Sequence, residues 1–229
     1  VYSMIQDSKG YIWIGTEGGL SKFDGLKFTN YTKLNGLPDN HIRVVFEDHQ
    51  KNIWIGTNKG VAKYSNNKFE PKFTEILGSS IVYSFNSTID SNIFAATSNG
   101  VFIIDTKNKA CTGIVDTNNN AQYRDIVNYL GTTYFASDRG IFERNSNGSL
   151  DQIQLNTISD TIYTLFTDSN NNLWIGTEKG VDVVNYSNDE YEIIKTYPFG
   201  KIFEITEDIN NNIWISTFEN GVFKVIKKE

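Results

Sequence analysis

Two histidines, one cysteine and a set of regularly placed aspartates are the residues of this 229-residue chain best suited to chemistry. His41 and His49 bracket one strand-like segment, and an extended chain would hold them about 25 Å apart, too far to share a site within it. Cys111, the single cysteine, excludes an internal disulfide framework and any multi-cysteine metal site. With no histidine near it in sequence, it reads as a small buried hydrophobe. A G-x-S-x-G elbow, an H-E-x-x-H pair and a phosphate-cradling glycine loop are all missing from the sequence. Asp7, Asp48, Asp168 and Asp208 invite a reading as carboxylate ligands, and the runs Ser169 to Asn172 and Asn210 to Asn212 a reading as calcium loops. Both features recur at one place in a repeat, which favours ordinary turn chemistry. The expectation is a chain with no catalytic set, no metal and no cofactor.

The elements that must position these residues come from internal repetition. Tyr11 to Leu20 reads YIWIGTEGGL, Asn52 to Val61 NIWIGTNKGV, and Asn172 to Val181 NLWIGTEKGV. Asn212 to Val222, NIWISTFENGV, is a fourth copy with one residue inserted, and NIFAATSNGV (Asn92 to Val101) and TTYFASDRGI (Thr132 to Ile141) are degenerate ones. The aromatic anchor falls at Trp13, Trp54, Phe94, Tyr134, Trp174 and Trp214, a spacing of 41 and then 40 four times. Two residues after it the side chain is always small (Gly15, Gly56, Ala96, Ala136, Gly176, Ser216), as close approach by a neighbour requires. The next position is always a hydroxyl, suited to satisfying backbone groups where the strand turns. A glycine then closes the turn. Six residues before the anchor stands one of the four aspartates, or Thr88 and Asn128 in the degenerate copies.

Reading outward from the anchors gives four strands per repeat; in the second copy these are His41 to Glu47, Asn52 to Thr57, Gly60 to Ser65 and Lys68 to Phe73, with no helical period anywhere. Four-stranded repeats of about forty residues define an all-β class, the β-propeller. We expect one propeller domain over 1–229, or a fragment of one, with blades near 1–34, 40–75, 80–116, 121–155, 160–197 and 200–229. The sixth blade lacks its outermost strand. Either a six-bladed ring ends on a three-stranded blade or the chain is cut from a larger ring, and the want of a segment to complete the blade favours the second.

Binding chemistry has better candidates than catalysis. Eleven residues before each anchor, where the innermost strand begins, stand Tyr2, Arg43, Tyr83, Tyr123, Tyr163 and Phe203. The loops at that end carry Asn40, His41, Glu17, Lys59, Arg139, Glu178, Lys179, Phe218 and Glu219. Such a ring could stack sugar rings or other planar ligands, with Arg43 and Arg124 pairing a carboxylate or sulfate. The competing reading is packing between blades. Our candidate ligand-binding residues are Tyr123, Arg124, Arg43, His41, Tyr163, Arg139 and Phe218. Trp13, Trp54, Trp174, Trp214 and the four aspartates are candidate structural residues.

The string D-x-x-x-x-I/L-W-I-G-T-x-x-G-hydrophobic, at Asp7 to Leu20, Asp48 to Val61 and Asp168 to Val181, resembles the two-component regulator propeller repeat, and GLPDNHIRVVFED (Gly36 to Asp48) matches its start. The resemblance implies the extracytoplasmic, periplasmic sensor region of a bacterial hybrid two-component sensor kinase, in many relatives a receptor for oligosaccharides. It further implies an Ig-like domain, a membrane helix and a kinase elsewhere in the parent protein, and a ring that is commonly seven-bladed. Any kinase activity would lie outside this chain. Propeller lyases of the virginiamycin type resemble the chain in blade pattern but depend on clustered histidine and glutamate, which two histidines flanking one strand do not supply. A dimerisation or partner-docking scaffold is the alternative to ligand binding.

Composition narrows the partners. With 21 Lys and Arg against 27 Asp and Glu the net charge is −6, which argues against nucleic acid or an anionic membrane as the main partner. Hydrophobic residues at 39% and aromatics at 14% suit a chain with an aromatic-rich core. No apolar run nears the roughly 18 residues that would cross a bilayer, and the chain opens in a strand-like segment without a signal-peptide pattern. The expected partners are a small ligand or oligosaccharide, and a second copy through the parent protein.

Overall fold

A computed structural model describes residues 1–87, 92–114, 121–157, 159–187 and 190–226. The first blade comprises β1 (Ser3–Gln6), β2 (Ile12–Gly15), β3 (Leu20–Phe23) and β4 (Phe28–Tyr31). The second comprises β5 (Ile42–Glu47), β6 (Ile53–Thr57), β7 (Gly60–Ser65) and β8 (Lys68–Lys72), and the third β9 (Val82–Ser87), β10 (Asn92–Thr97), β11 (Gly100–Asp105) and β12 (Ala110–Ile114). Then follow β13 (Tyr123–Tyr129), β14 (Thr132–Ser137), β15 (Gly140–Arg144) and β16 (Leu150–Gln152), and β17 (Ile162–Thr167), β18 (Leu173–Thr177), β19 (Val181–Ser187) and β20 (Glu190–Tyr197). The sixth blade has three strands, β21 (Ile202–Glu207), β22 (Ile213–Thr217) and β23 (Val222–Val225). Every sheet is an antiparallel meander, so the chain is an all-β propeller of six blades, the last one three-stranded.

Blades one to three form one compact unit (1–115) and blades four to six a second (116–229). Among the described residues helical structure is confined to connections: a 3-10 turn at Lys33–Asn35, capped by Thr32, and α1 (Thr74–Leu77), a single turn. Neither has the length to show a helical period in sequence.

Within each unit the repeat positions do identifiable work. The anchor of one blade packs into the next: Trp13 lies in one apolar cluster with Ile42 and Ile53, Trp54 with Val82 and Ile93, Trp174 with Ile202 and Ile213. These three tryptophans are at most 4% exposed, whereas Trp214, on the last blade of its unit, is 39% exposed. The indole N–H of each donates to the aspartate six residues upstream, Asp7, Asp48, Asp168 or Asp208, at 2.8–2.9 Å. The other carboxylate oxygen accepts backbone N–H groups of the turn, for Asp168 those of Asn170 and Asn172 at 2.9 Å. The aspartate thus closes its hairpin and fixes the anchor in one stroke, the turn role expected for it extended by the indole bond. Asn171 and Asn211 supply left-handed backbone to these turns, at φ 58° and 61°. The asparagine runs are therefore turn chemistry.

The hydroxyl position also behaves as expected: Thr57 Oγ1 donates to Gly60 O at 2.9 Å and accepts from Lys59 N at 3.0 Å. Gly19, at φ 144°, lies against the carbonyl of Tyr31, where a side chain would collide. Blades are also stitched directly. Val45 N donates to Ser3 Oγ at 3.1 Å and Leu165 N to Asp125 Oδ2 at 2.9 Å, joining neighbouring innermost strands. At the opposite strand end Ser8 donates to both oxygens of Glu47, and Ser169 to both of Glu207.

Candidate functional site

The innermost strand of each blade from the second to the sixth opens on a β-bulge. A bulge inserts one residue without a cross-strand partner and re-aims its side chain. Ile42 pairs with Thr57 and Val44 with Gly56, so Arg43 is the inserted residue; Tyr83, Tyr163 and Phe203 are its counterparts. Tyr2 takes the corresponding place in the first blade, donating its N–H to Gly15 O at 2.9 Å.

The fourth blade departs from the spacing rule. Its anchor Tyr134 pairs with Val127, seven residues upstream, whereas Trp54 pairs with Phe46, eight upstream. The cause is the first hairpin: Tyr129 pairs with Thr132 across a two-residue turn, Leu130 and Gly131, at φ 49° and 85°. The other complete motifs use a five-residue turn headed by aspartate, as between Glu47 and Ile53. The innermost strand is consequently displaced by one residue. Tyr123 pairs with Ser137 and is fully buried, edge-on to Phe135 and Phe142, and Arg124 occupies the bulge. Tyr123 thus takes the packing position that counting from the anchor had not assigned to it. Asn128, matched in sequence to the turn aspartates, lies inside β13, where its Oδ1 accepts from Thr133 Oγ1 at 2.9 Å. Thr88, matched likewise, lies outside the described residues.

Of the remaining candidates, His41 and Arg43 belong to the first unit. The rings of His41 and Tyr2 lie 4.7 Å apart, and the Arg43 guanidinium stands 5.0 Å from the Tyr2 centroid while its Nε donates to Asn58 Oδ1 at 2.7 Å. His49 follows β5 at its other end, so the two histidines flank one strand as their spacing required. Cys111 is buried, and burial pushes its thiol up to about 11, which leaves it protonated and unreactive at neutral pH.

In the second unit Arg124, Tyr163 and Phe218 converge, and Arg139 is exposed on the β14–β15 turn. The Arg124 guanidinium lies 4.9 Å from the Tyr163 centroid. Lys201 Nζ lies 4.7 Å from the same centroid and 4.4 Å from that of Phe218. Phe218 contacts Tyr163 at 6.1 Å and Phe203 at 5.3 Å, both edge-on. The residue inserted in the fourth full motif lengthens this turn, whose Phe218 N–H donates to Lys201 O at 3.0 Å. Phe218 is half exposed and the other members are partly buried, so the cluster is a walled, aromatic, cationic surface. Lys201 is the member that sequence reasoning missed; its only signal is its place two residues ahead of a bulge aromatic.

One layer further along the innermost strands stand Asp125, Thr164 and Glu204, each paired with the small position of its blade. Thr164 Oγ1 and Leu165 N donate to Asp125 Oδ2 at 3.0 and 2.9 Å. Glu204 retains accessible surface, yet protein crowding strips water from its carboxyl and, with the charge of Asp125, pushes it up to about 8 against a hydrogen bond from Ile205 N–H. Glu204 is therefore mostly neutral at pH 7. Among the described residues no three His, Cys, Asp or Glu side chains come together as metal ligands.

The sequence profile of the two-component regulator propeller family matches residues 1–18, 36–59 and 157–179. Three stretches of the chain match the two-component regulator propeller repeat. These matched repeats hold three of the four indole-bonded aspartates, Asp7, Asp48 and Asp168. Among solved structures the chain is similar to the extracellular domain of a putative hybrid two-component system from B. thetaiotaomicron, with a TM-score of 0.82, 24% identity and coverage of 98% of this chain and 33% of that one. A second such domain from the same organism gives 0.70, 20% identity and coverage of 100% and 38%. Virginiamycin B lyase from Staphylococcus aureus gives 0.76, 14% identity and coverage of 100% and 85%. At these identities the likeness establishes the propeller fold alone. The chain spans about a third of the length of the two-component structures. No curated protein matches the sequence.

Proposed function

We propose that this chain is the non-catalytic, extracytoplasmic sensor propeller of a two-component signalling protein, and that it binds a small ligand, with an oligosaccharide foremost, at the bulged ends of its innermost strands. The observation that carries the ligand-binding part is the convergence of Tyr163, Phe203 and Phe218 with two cations on a partly exposed surface. Aromatic faces of this kind stack on the apolar faces of sugar rings. Family kinship supports the signalling part and the extracytoplasmic location. No helix among the described residues is long and apolar enough to cross a membrane.

A glycan panel titrated calorimetrically into the chain tests the proposal. We expect binding to one member, lost in Phe218→Ala and Tyr163→Ala variants that remain folded by circular dichroism. Failure of every member would leave the scaffold reading, which draws on the exposed apolar face of the last blade, where Trp214 is 39% and Val222 63% exposed. Self-association in sedimentation equilibrium, abolished by Trp214→Ser, would then be expected. Turnover of a cyclic depsipeptide would overturn the non-catalytic reading.

A further inference from the structure

At the bulged end of the first unit one cation has no acid beside it. Among the described residues no carboxylate lies within ion-pair distance of Arg43. The neighbouring cation is matched: Lys59 pairs with Asp39 at 3.9 Å, and Asp39 also accepts from His41 N at 2.9 Å. With 27 Asp and Glu against 21 Lys and Arg, a partly buried guanidinium left unpaired departs from what the composition favours.

Arg43 is also held in one orientation. It is the residue that the β5 bulge inserts and re-aims. Its Nε donates to Asn58 Oδ1 at 2.7 Å, its guanidinium stands 5.0 Å from the Tyr2 centroid, and the His41 ring backs that of Tyr2 at 4.7 Å. Asn58 is itself fixed, its N–H donating to His41 O at 3.1 Å. The bond to Asn58 occupies Nε, so a ligand cannot use the side-on edge of the guanidinium, Nε with one terminal nitrogen. The end-on edge remains. Among the described residues neither terminal nitrogen donates to a protein acceptor, and neither is shut away from solvent.

We propose that Arg43 is the receptor for a ligand carboxylate, which accepts from both terminal nitrogens across the end-on edge. The site lies in the first unit and does not depend on the aromatic cluster of the second. Two parallel N–H to O bonds match the spacing of the two carboxylate oxygens. Asn58 and Tyr2 hold the guanidinium before the ligand arrives, so binding has little side-chain freedom to remove. In the third blade the same bulge position holds Tyr83, which has no such fork, so within its unit this site is particular to the second blade.

The test is an NMR titration of the chain with galacturonate, galactose and acetate that follows the Arg43 side-chain signals. Galacturonate should shift those signals and bind at least about tenfold more tightly than galactose. Acetate separates two sources of the carboxylate: affinity equal to that of galacturonate assigns recognition to the anion alone, and weaker affinity to an anion carried on a sugar. Arg43→Lys, which keeps the charge and loses the fork, and Arg43→Gln should each weaken galacturonate about tenfold. Added salt should weaken both acids. Thermal unfolding checks that the variants are folded, and the comparison of galacturonate with galactose on the parent chain needs no variant. Galacturonate binding that survives either Arg43 substitution, equal affinity for galacturonate and galactose, or Arg43 signals that respond to neither acid overturns the inference. The glycan panel and Phe218→Ala decide the wider ligand-binding reading separately.

Discussion

The small position after each anchor offers a prediction that can be worked through from contacts. A Cβ added at Gly176 would stand 2.5 Å from Thr164 Cγ2 and 2.8 Å from Ile202 Cγ2; one at Gly56 would stand 2.5 Å from Val44 Cγ1 and 2.9 Å from Val82 Cγ1. In both cases the cross-strand partner is β-branched. Where that partner is Ser84, Asp125 or Glu204, the slot holds Ala96, Ala136 or Ser216. The third glycine, Gly15, faces Ser3 and is hindered by Ile42 alone, whose Cγ2 would be 2.8 Å away. Forcing a methyl into the Gly176 site should cost about 1–3 kcal/mol. Relief of glycine's backbone entropy returns roughly 0.5–1 kcal/mol. The net loss expected for Gly176→Ala is about 1–2 kcal/mol, a fall in melting temperature of about 2–8 °C for a chain of this size. Thr164→Ser removes the methyl at 2.5 Å while keeping the hydroxyl that donates to Asp125, and recreates the Ala–Ser pairing of the third blade. The double variant should therefore recover part of the loss, the contact with Ile202 Cγ2 at 2.8 Å remaining. Gly113→Ala is the control, since its nearest neighbour, Phe102 Cε1, would lie at an ordinary 3.5 Å. Urea unfolding followed by tryptophan fluorescence supplies the comparison. A Gly176→Ala protein as stable as the parent, or one that Thr164→Ser does not rescue, would refute this account of the repeat.

Asp48→Ala should cost about 2–4 kcal/mol, because it strands the buried Trp54 indole N–H and removes the acceptor of the Gln50 and Asn52 amides; unchanged urea midpoints would contradict that role. Glu204 makes stability depend on pH. Its carboxyl is near 4.5 when unfolded and about 8 when folded, so its contribution is complete below about 4.5 and is lost as pH rises toward 8. Glu204→Gln should flatten urea midpoints between about pH 5 and pH 8, and an identical slope in both proteins would dismiss the assignment. Asp208 works in the opposite direction: its bonds from Trp214 and Asn212 lower its carboxyl below the ordinary value of 3.8, so the stabilisation holds above that value and fades in acid. Lys51 holds φ 65° where the sister turns use Gly10, Asn171 and Asn211, so Lys51→Asn should stabilise by up to about 1 kcal/mol, measured by thermal unfolding.

What the sequence determined by itself was the repeat and its hairpins. The spacing of Trp13, Trp54, Phe94, Tyr134, Trp174 and Trp214 gives six blades, and the slots around them give their hairpins, because a repeated local pattern makes repeated local contacts. Asp7 and its counterparts were legible as turn residues, but their bond to the indole was not, since a six-residue separation means contact only once the hairpin folds back. Two things required the tertiary structure. A two-residue turn at Leu130 and Gly131 displaces β13 by one place, burying Tyr123 and handing the bulge to Arg124; pairing register, not distance from the anchor, decides which side chain is presented. The convergence of Arg124, Tyr163, Lys201 and Phe218 joins three blades whose residues lie tens of positions apart, and no spacing in the sequence relates them. Packing of neighbouring innermost strands brings them together.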